Sequence, residues 1–205
     1  MIKRKRLGAV LASAGMFGVL LTACATQPAT SNNSNSTPTN SPTAKVETAK
    51  PPSDKGDSVV TGGDLAFMND AAMGGMAEVE LGRLAINQAA SKEVKAFAQH
   101  MIDDHSKAGE ELKQLAQGKK VMLPPDVSPT HKEVMGKLSP LKGAEFDRAY
   151  VKAMVEDHVK DVTAFEAVSK NATDADVKAY AAKTLPTLQQ HLQMIRGISA
   201  KMDVK

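Results

Sequence analysis

The chain has 205 residues, 42% of them hydrophobic and only 3% aromatic, with no tryptophan and one cysteine. A single cysteine excludes a disulfide framework and a zinc–thiolate site. The formal charge of +3 gives no support for nucleic-acid binding: four of the 26 basic residues crowd into positions 3–6, no acid precedes Cys24, and without that stretch the balance against 23 acids is −1, whereas nucleic acid wants a clustered basic face.

Lys3, Arg4, Lys5 and Arg6 precede an apolar run from Leu7 to Leu21. The run is too short to span a bilayer and has the form of a signal-peptide core. It ends in Leu21-Thr22-Ala23-Cys24, the bacterial lipobox pattern. Residues 1–23 are therefore expected to be a lipoprotein signal peptide, with Cys24 the lipidation site and the membrane a partner through that anchor. Two or three acyl chains hold stably where one is marginal. Ala25 follows the cysteine in place of Asp. By resemblance to Gram-negative lipoprotein sorting, this points to the outer membrane, with the protein facing the periplasm. Residues 24–63 continue as Ser, Thr, Asn, Pro, Gln and Lys with almost no large apolar side chain. Such a composition cannot offset ordering entropy, so a disordered linker spanning roughly 35 Å is expected.

Residues 64–202 carry helical periodicity. A first helix is predicted over about 64–90, with Asp64 as N-cap. Counting in 100° steps, Glu78 sits at the centre of a face made of Phe67, Ala71, Gly74, Gly75, Leu81, Gly82, Ala85 and Ala89. Small residues there admit a close neighbouring helix. Ser91 caps a second helix over 92–117, stopped at Gly118. Its apolar stripe includes Val94, Phe97, Met101, Leu112 and His105, with Asp104 at the edge. Ser128-Pro129 opens a short helix over 129–138, and Ser139-Pro140 repeats the device before a long helix over 140–171. That helix places Tyr150, Met154, His158, Asp161 and Phe165 on one face. The last helix, over 174–201, is expected to be capped by Thr173 with Asp176 as the reciprocal acid. Its stripe holds Val177, Ala181, Leu188, Leu192 and Ile195, with His191 at the edge. Pro186 should kink it and free the carbonyl of Ala182. Four long amphipathic helices with no alternating apolar pattern imply an all-α four-helix bundle.

Two segments repeat each other: Met101-Ile102-Asp103-Asp104-His105 and Met154-Val155-Glu156-Asp157-His158. Together with Gly74-Gly75-Met76-Ala77-Glu78, Phe146-Asp147, Tyr150 and Leu185-Pro186-Thr187-Leu188-Gln189-Gln190-His191, they resemble the bacterial envelope family known as domain of unknown function 4142. The resemblance covers about residues 64–200. It implies a ferritin-like fold and an envelope location, and no established activity.

Ferritin-like di-iron sites take one Glu from each of two helices and a Glu-x-x-His from each of the others. Glu78 fits the first part. The rest fails, because Ile102, Val155 and Leu188 stand three residues before His105, His158 and His191. A different metal site remains open on Glu78, His105, His158, Asp161 and His191, which come from all four helices; such ligands suit iron, zinc or copper. Methionine lies close to each of these histidines in sequence, as Met101, Met154 and Met194, and Met135 follows His131, which adds a thioether argument for copper. The plainer account is a set of hydrogen-bonded His–carboxylate pairs that fix helix register, with methionine as core filler. No nucleophile elbow or phosphate loop is present to suggest an enzyme. Sequence alone therefore favours a tethered, non-enzymatic envelope module, binding a protein partner or its own copy or serving envelope stress. The alternative is a metal-binding or metal-dependent redox protein.

Overall fold

The computed structural model describes Val60 and residues 62–204. The predicted signal peptide, the Cys24 anchor and nearly all of the predicted linker lie outside the described residues. The helices are α1 (Gly62–Gln88), α2 (Lys92–Gly118), α3 (Pro129–Leu138), α4 (Gly143–Asn171) and α5 (Ala175–Lys201). Among the described residues, no helix is long and apolar enough to cross a membrane.

The connections set the topology. Ala89, just after α1, bridges to Gly143 at the start of α4, so α4 begins where α1 ends. Lys119, just after α2, pairs with Asp174 at 2.7 Å and Asp176 at 2.9 Å, so α5 begins where α2 ends. Two antiparallel hairpins, α1–α2 and α4–α5, therefore pack together. The segment carrying α3 returns the chain from one end to the other. One long crossover in a four-helix bundle is the ferritin-like connection.

Several helix ends differ from expectation, each for a local reason. α1 starts two residues early. Asp64 lies inside its first turn, buried, where its carboxylate accepts from the Asp174 N–H at 2.7 Å. Ser91 and Ser128 do cap α2 and α3. Gly118 remains helical, and it is Lys120 that takes the left-handed conformation, at φ 57°. Ser139 closes α3 by donating its N–H to Met135 and does not open α4. α4 waits for Gly143, whose φ of 63° a side chain would strain. The cap of α5 is Asp174, accepting from Asp176 N–H and Val177 N–H, in place of Thr173. The carboxylate of Asp176 is turned to Lys119. Pro186 is exposed inside α5, which runs on both sides of it.

Asp147 closes the other end of the bundle. It is buried on α4, and its carboxylate accepts from Ala90 N–H at 3.1 Å and Ser91 N–H at 2.9 Å. The Ser91 N–H is one of the orphan donors that any helix start presents, and Ala90 is the residue just before that cap.

The core falls into two apolar clusters. One holds Leu81, Ala85, Phe97, Met101, Phe146, Tyr150, Met154 and Ile195. The other holds Phe67, Met68, Leu112, Phe165, Val177, Tyr180 and Leu188. Each large side chain so buried contributes about 1.5–3 kcal/mol. Along every long helix one buried polar residue lies between the residues of the first cluster and those of the second. These residues are Glu78, His105, His158 and His191.

Candidate metal centre

Each long helix contributes one member to this polar layer because each has a polar residue inside its apolar stripe. The rings of His105, His158 and His191 face one another, with centroids 6.0, 5.4 and 5.6 Å apart. One nitrogen from each ring lies within 4.8 Å of those of the other two. Phe97 packs edge-on against His158 and His191 and closes the layer on the side of the first cluster.

The hydrogen bonds show which nitrogen of each ring is engaged. His158 Nδ1 lies 3.0 Å from the Met154 carbonyl, which can only accept, so the proton is on Nδ1. His191 Nε2 lies 2.8 Å from the Asp104 carboxylate. His105 Nδ1 lies 2.8 Å from Glu78 Oε2. The other nitrogens, His105 Nε2, His158 Nε2 and His191 Nδ1, are buried without a hydrogen-bond partner. His158 Nε2 does approach Glu78 Oε1 at 3.4 Å, but not in hydrogen-bond geometry, and Glu78 Oε1 is itself unpartnered. Leaving such a group unpaired costs about 1–3 kcal/mol. An imidazole that donates one N–H to a carboxylate or carbonyl and turns the other nitrogen inward is oriented as a metal ligand is. The residues therefore fit a cation.

Electrostatics point the same way. Burial holds the His105 imidazolium down, to about 4, against the pull of Asp104 and Asp157. Burial lowers His158 as well, opposed by Glu78, and lowers His191, opposed by its bond to Asp104. All three rings are thus neutral at neutral pH. Burial raises Glu78, with His158 opposing. A cation on the imidazoles would draw the proton shared by Glu78 and His105 onto Nδ1 and leave Glu78 an anion beside it.

Asp161 is not brought into the imidazole group. It meets Glu78 and Asp157, with carboxylate oxygens within 4.8 Å of one another, and burial together with those two charges raises its pKa. Sequence reasoning missed Asp104 and Asp157 as members of the site. The signal was present: each is the acid immediately before the histidine in the repeated segment, and each faces across to another helix. The methionines part company with the histidines beside them. Met101 and Met154 belong to the first apolar cluster, and His131 bonds Ser128 on α3, outside the layer.

A family model described as domain of unknown function, DUF4142, matches residues 49–198. The chain belongs to the DUF4142 family. No curated protein matches it. Solved structures similar to this DUF4142 bundle include a DUF305 fragment from Deinococcus radiodurans, at TM-score 0.60 and 15% identity, covering 69% of this chain and 98% of that one. A putative secreted DUF305 protein from Streptomyces coelicolor matches at 0.60 and 16%, over 70% and 95%. CopM in its Cu(II)-bound form matches at 0.58 and 16%, over 67% and 96%. At such identities the likeness establishes the fold. The chain is thus an all-α DUF4142 protein.

Proposed function

We propose that this DUF4142 chain is an envelope lipoprotein, held at the outer membrane through Cys24 and facing the periplasm, whose bundle binds one transition-metal ion on His105, His158 and His191. Glu78 and Asp104 orient two of the rings. The observation that carries the reading is that one nitrogen of each of the three rings lies within 4.8 Å of the others, and that each ring keeps one buried nitrogen without a hydrogen bond. Pairs that merely fixed helix register would explain the bonds to Glu78 and Asp104 but would leave those three nitrogens at a cost with no return. Imidazole ligands suit copper, zinc and iron. Copper is the first choice, because CopM, of similar fold, has been solved in Cu(II)-, Cu(I)- and Ag-bound forms. The chemistry supplied is binding and buffering of the ion.

The test is a titration of the metal-free, tag-free protein with copper(II), zinc(II) and iron(II). Saturation at one equivalent, lost in His158→Ala, supports the site. No saturable binding of any of the three refutes it. The anchor is tested separately. Cys24→Ser should leave the outer-membrane fraction, and a variant that still co-fractionates with that membrane at high salt would show the lipid attachment to be wrong.

A further inference from the structure

Three openings reach His105, and they differ in what they admit. A groove of about 660 Å³ runs between α1 and α2 under residues 121–125, with Gly75, Met76, Ser106 and Gly109 on its walls and His105 at its inner end. A crevice of about 100 Å³ lies between α2 and α5, beside Asp104, Thr187 and His191. A slit of about 20 Å³ opens between Gly74, Glu78 and Asp161. A space of about 10–15 Å³ holds one water. The slit is therefore a one-water hole. The crevice is lined by Lys107 and Lys183 and by Asp104 and Glu111, with Lys183 bridging Glu111 at 2.8 Å, so its charges balance and its small volume is what limits it. The groove has room for an ion with its full hydration shell, and Glu80 and Glu110 balance Arg83 and Lys113 along it.

The groove has a structural cause. α1 and α2 touch at Gly82, where an added Cβ would lie 2.9 Å from the Ala98 carbonyl oxygen. Two turns along α1, just past the level of Glu78, they no longer touch in this way. A Cβ on Gly75 would meet only His105 Nδ1, at 3.9 Å, and one on Gly109 would meet nothing within 4 Å. Small residues thus serve close contact at one place and leave space at the other.

We infer that the groove between α1 and α2 is the port by which a hydrated metal ion reaches the histidine layer, with Gly75 and Gly109 keeping it open. This rests on the metal reading above. The ion enters hydrated and exchanges water for imidazole, beginning at His105, which of the three histidines is the one that lines the groove.

A bulky side chain in the groove should slow passage in both directions without touching a ligand. With copper(II) as probe, stopped-flow absorption follows loading and added chelator follows release. Gly109→Phe should slow both by about tenfold while the dissociation constant stays within about twofold of wild type. Thr187→Phe, in the α2–α5 crevice, should load and release as the wild type does. Ser106→Phe, an exposed position on the same groove, gives a second reading if Gly109→Phe does not fold. Saturable binding with wild-type rates in the groove variants, or slowing in Thr187→Phe alone, overturns the port and leaves the metal site standing. No saturable binding by the wild-type chain overturns both.

Discussion

Copper(II) at 100 times its dissociation constant should stabilise the wild-type protein by about 2.7 kcal/mol. For a domain of this size that is a rise of roughly 8 °C in melting temperature. The gain arises because only the folded chain holds His105, His158 and His191 together; the unfolded chain offers them singly. Removing one ligand should abolish it. His158→Ala is the cleanest variant, since the Met154 carbonyl it releases keeps its place in the helix. His105→Ala should also lower the metal-free stability, because it strips Glu78 Oε2 of its partner in a buried site. Changing an orienting group should act more mildly. Asp104→Asn or Glu78→Gln keeps all three imidazoles but weakens their alignment and basicity, and affinity should fall about 10- to 100-fold. Calorimetric melting with and without the ion reads every one of these effects. An equal metal-dependent rise in His158→Ala and wild type would show that the ion sits elsewhere.

Gly82→Val should destabilise the metal-free bundle by about 2–3 kcal/mol. A Cβ at this position would fall 2.9 Å from both the Ala98 carbonyl oxygen and Ile102 Cγ1. A backbone carbonyl inside α2 cannot turn aside, so the helices must part. Gly74→Ala is the matched control. It lies on the same helix and meets nothing within 4 Å, so it should gain about 0.5–1 kcal/mol from helix propensity alone. Opposite signs from two glycines eight residues apart would locate the α1–α2 crossing. The site should feel the change too, because Glu78 lies one turn from Gly82 and bonds His105 across the same interface. Urea melts with unchanged slope measure it. A Gly82→Val midpoint equal to wild type would show that the crossing is not tight.

Periodicity settled much of this in advance. The four long helices, the short one between them and the inward placement of Glu78, His105 and His158 all follow from 100° steps along the chain, because the face a residue shares depends only on residues within a few turns. The caps were harder. Ser91 and Ser128 cap as their local pattern predicts, whereas Ser139 and Thr173 do not. Neighbouring residues compete for the same role, and contacts from elsewhere decide. Asp174 wins over Thr173 where Asp64 and Lys119, distant in sequence, converge on it.

For the site the division is sharper. The sequence by itself determined that buried histidines on three helices and a glutamate on the fourth would point to a common core. It could not say that His191 bonds Asp104 across 87 residues, that Asp161 goes to Asp157 and Glu78, or which nitrogen of each ring is left over. Those depend on axial register, the sliding of one helix along another by about 1.5 Å per residue, to which angular periodicity is blind. Gly82 against Ala98, Asp147 on the start of α2 and Lys119 on Asp174 hold that register. Only the tertiary structure, through those contacts, brought the three imidazoles to one level of the bundle.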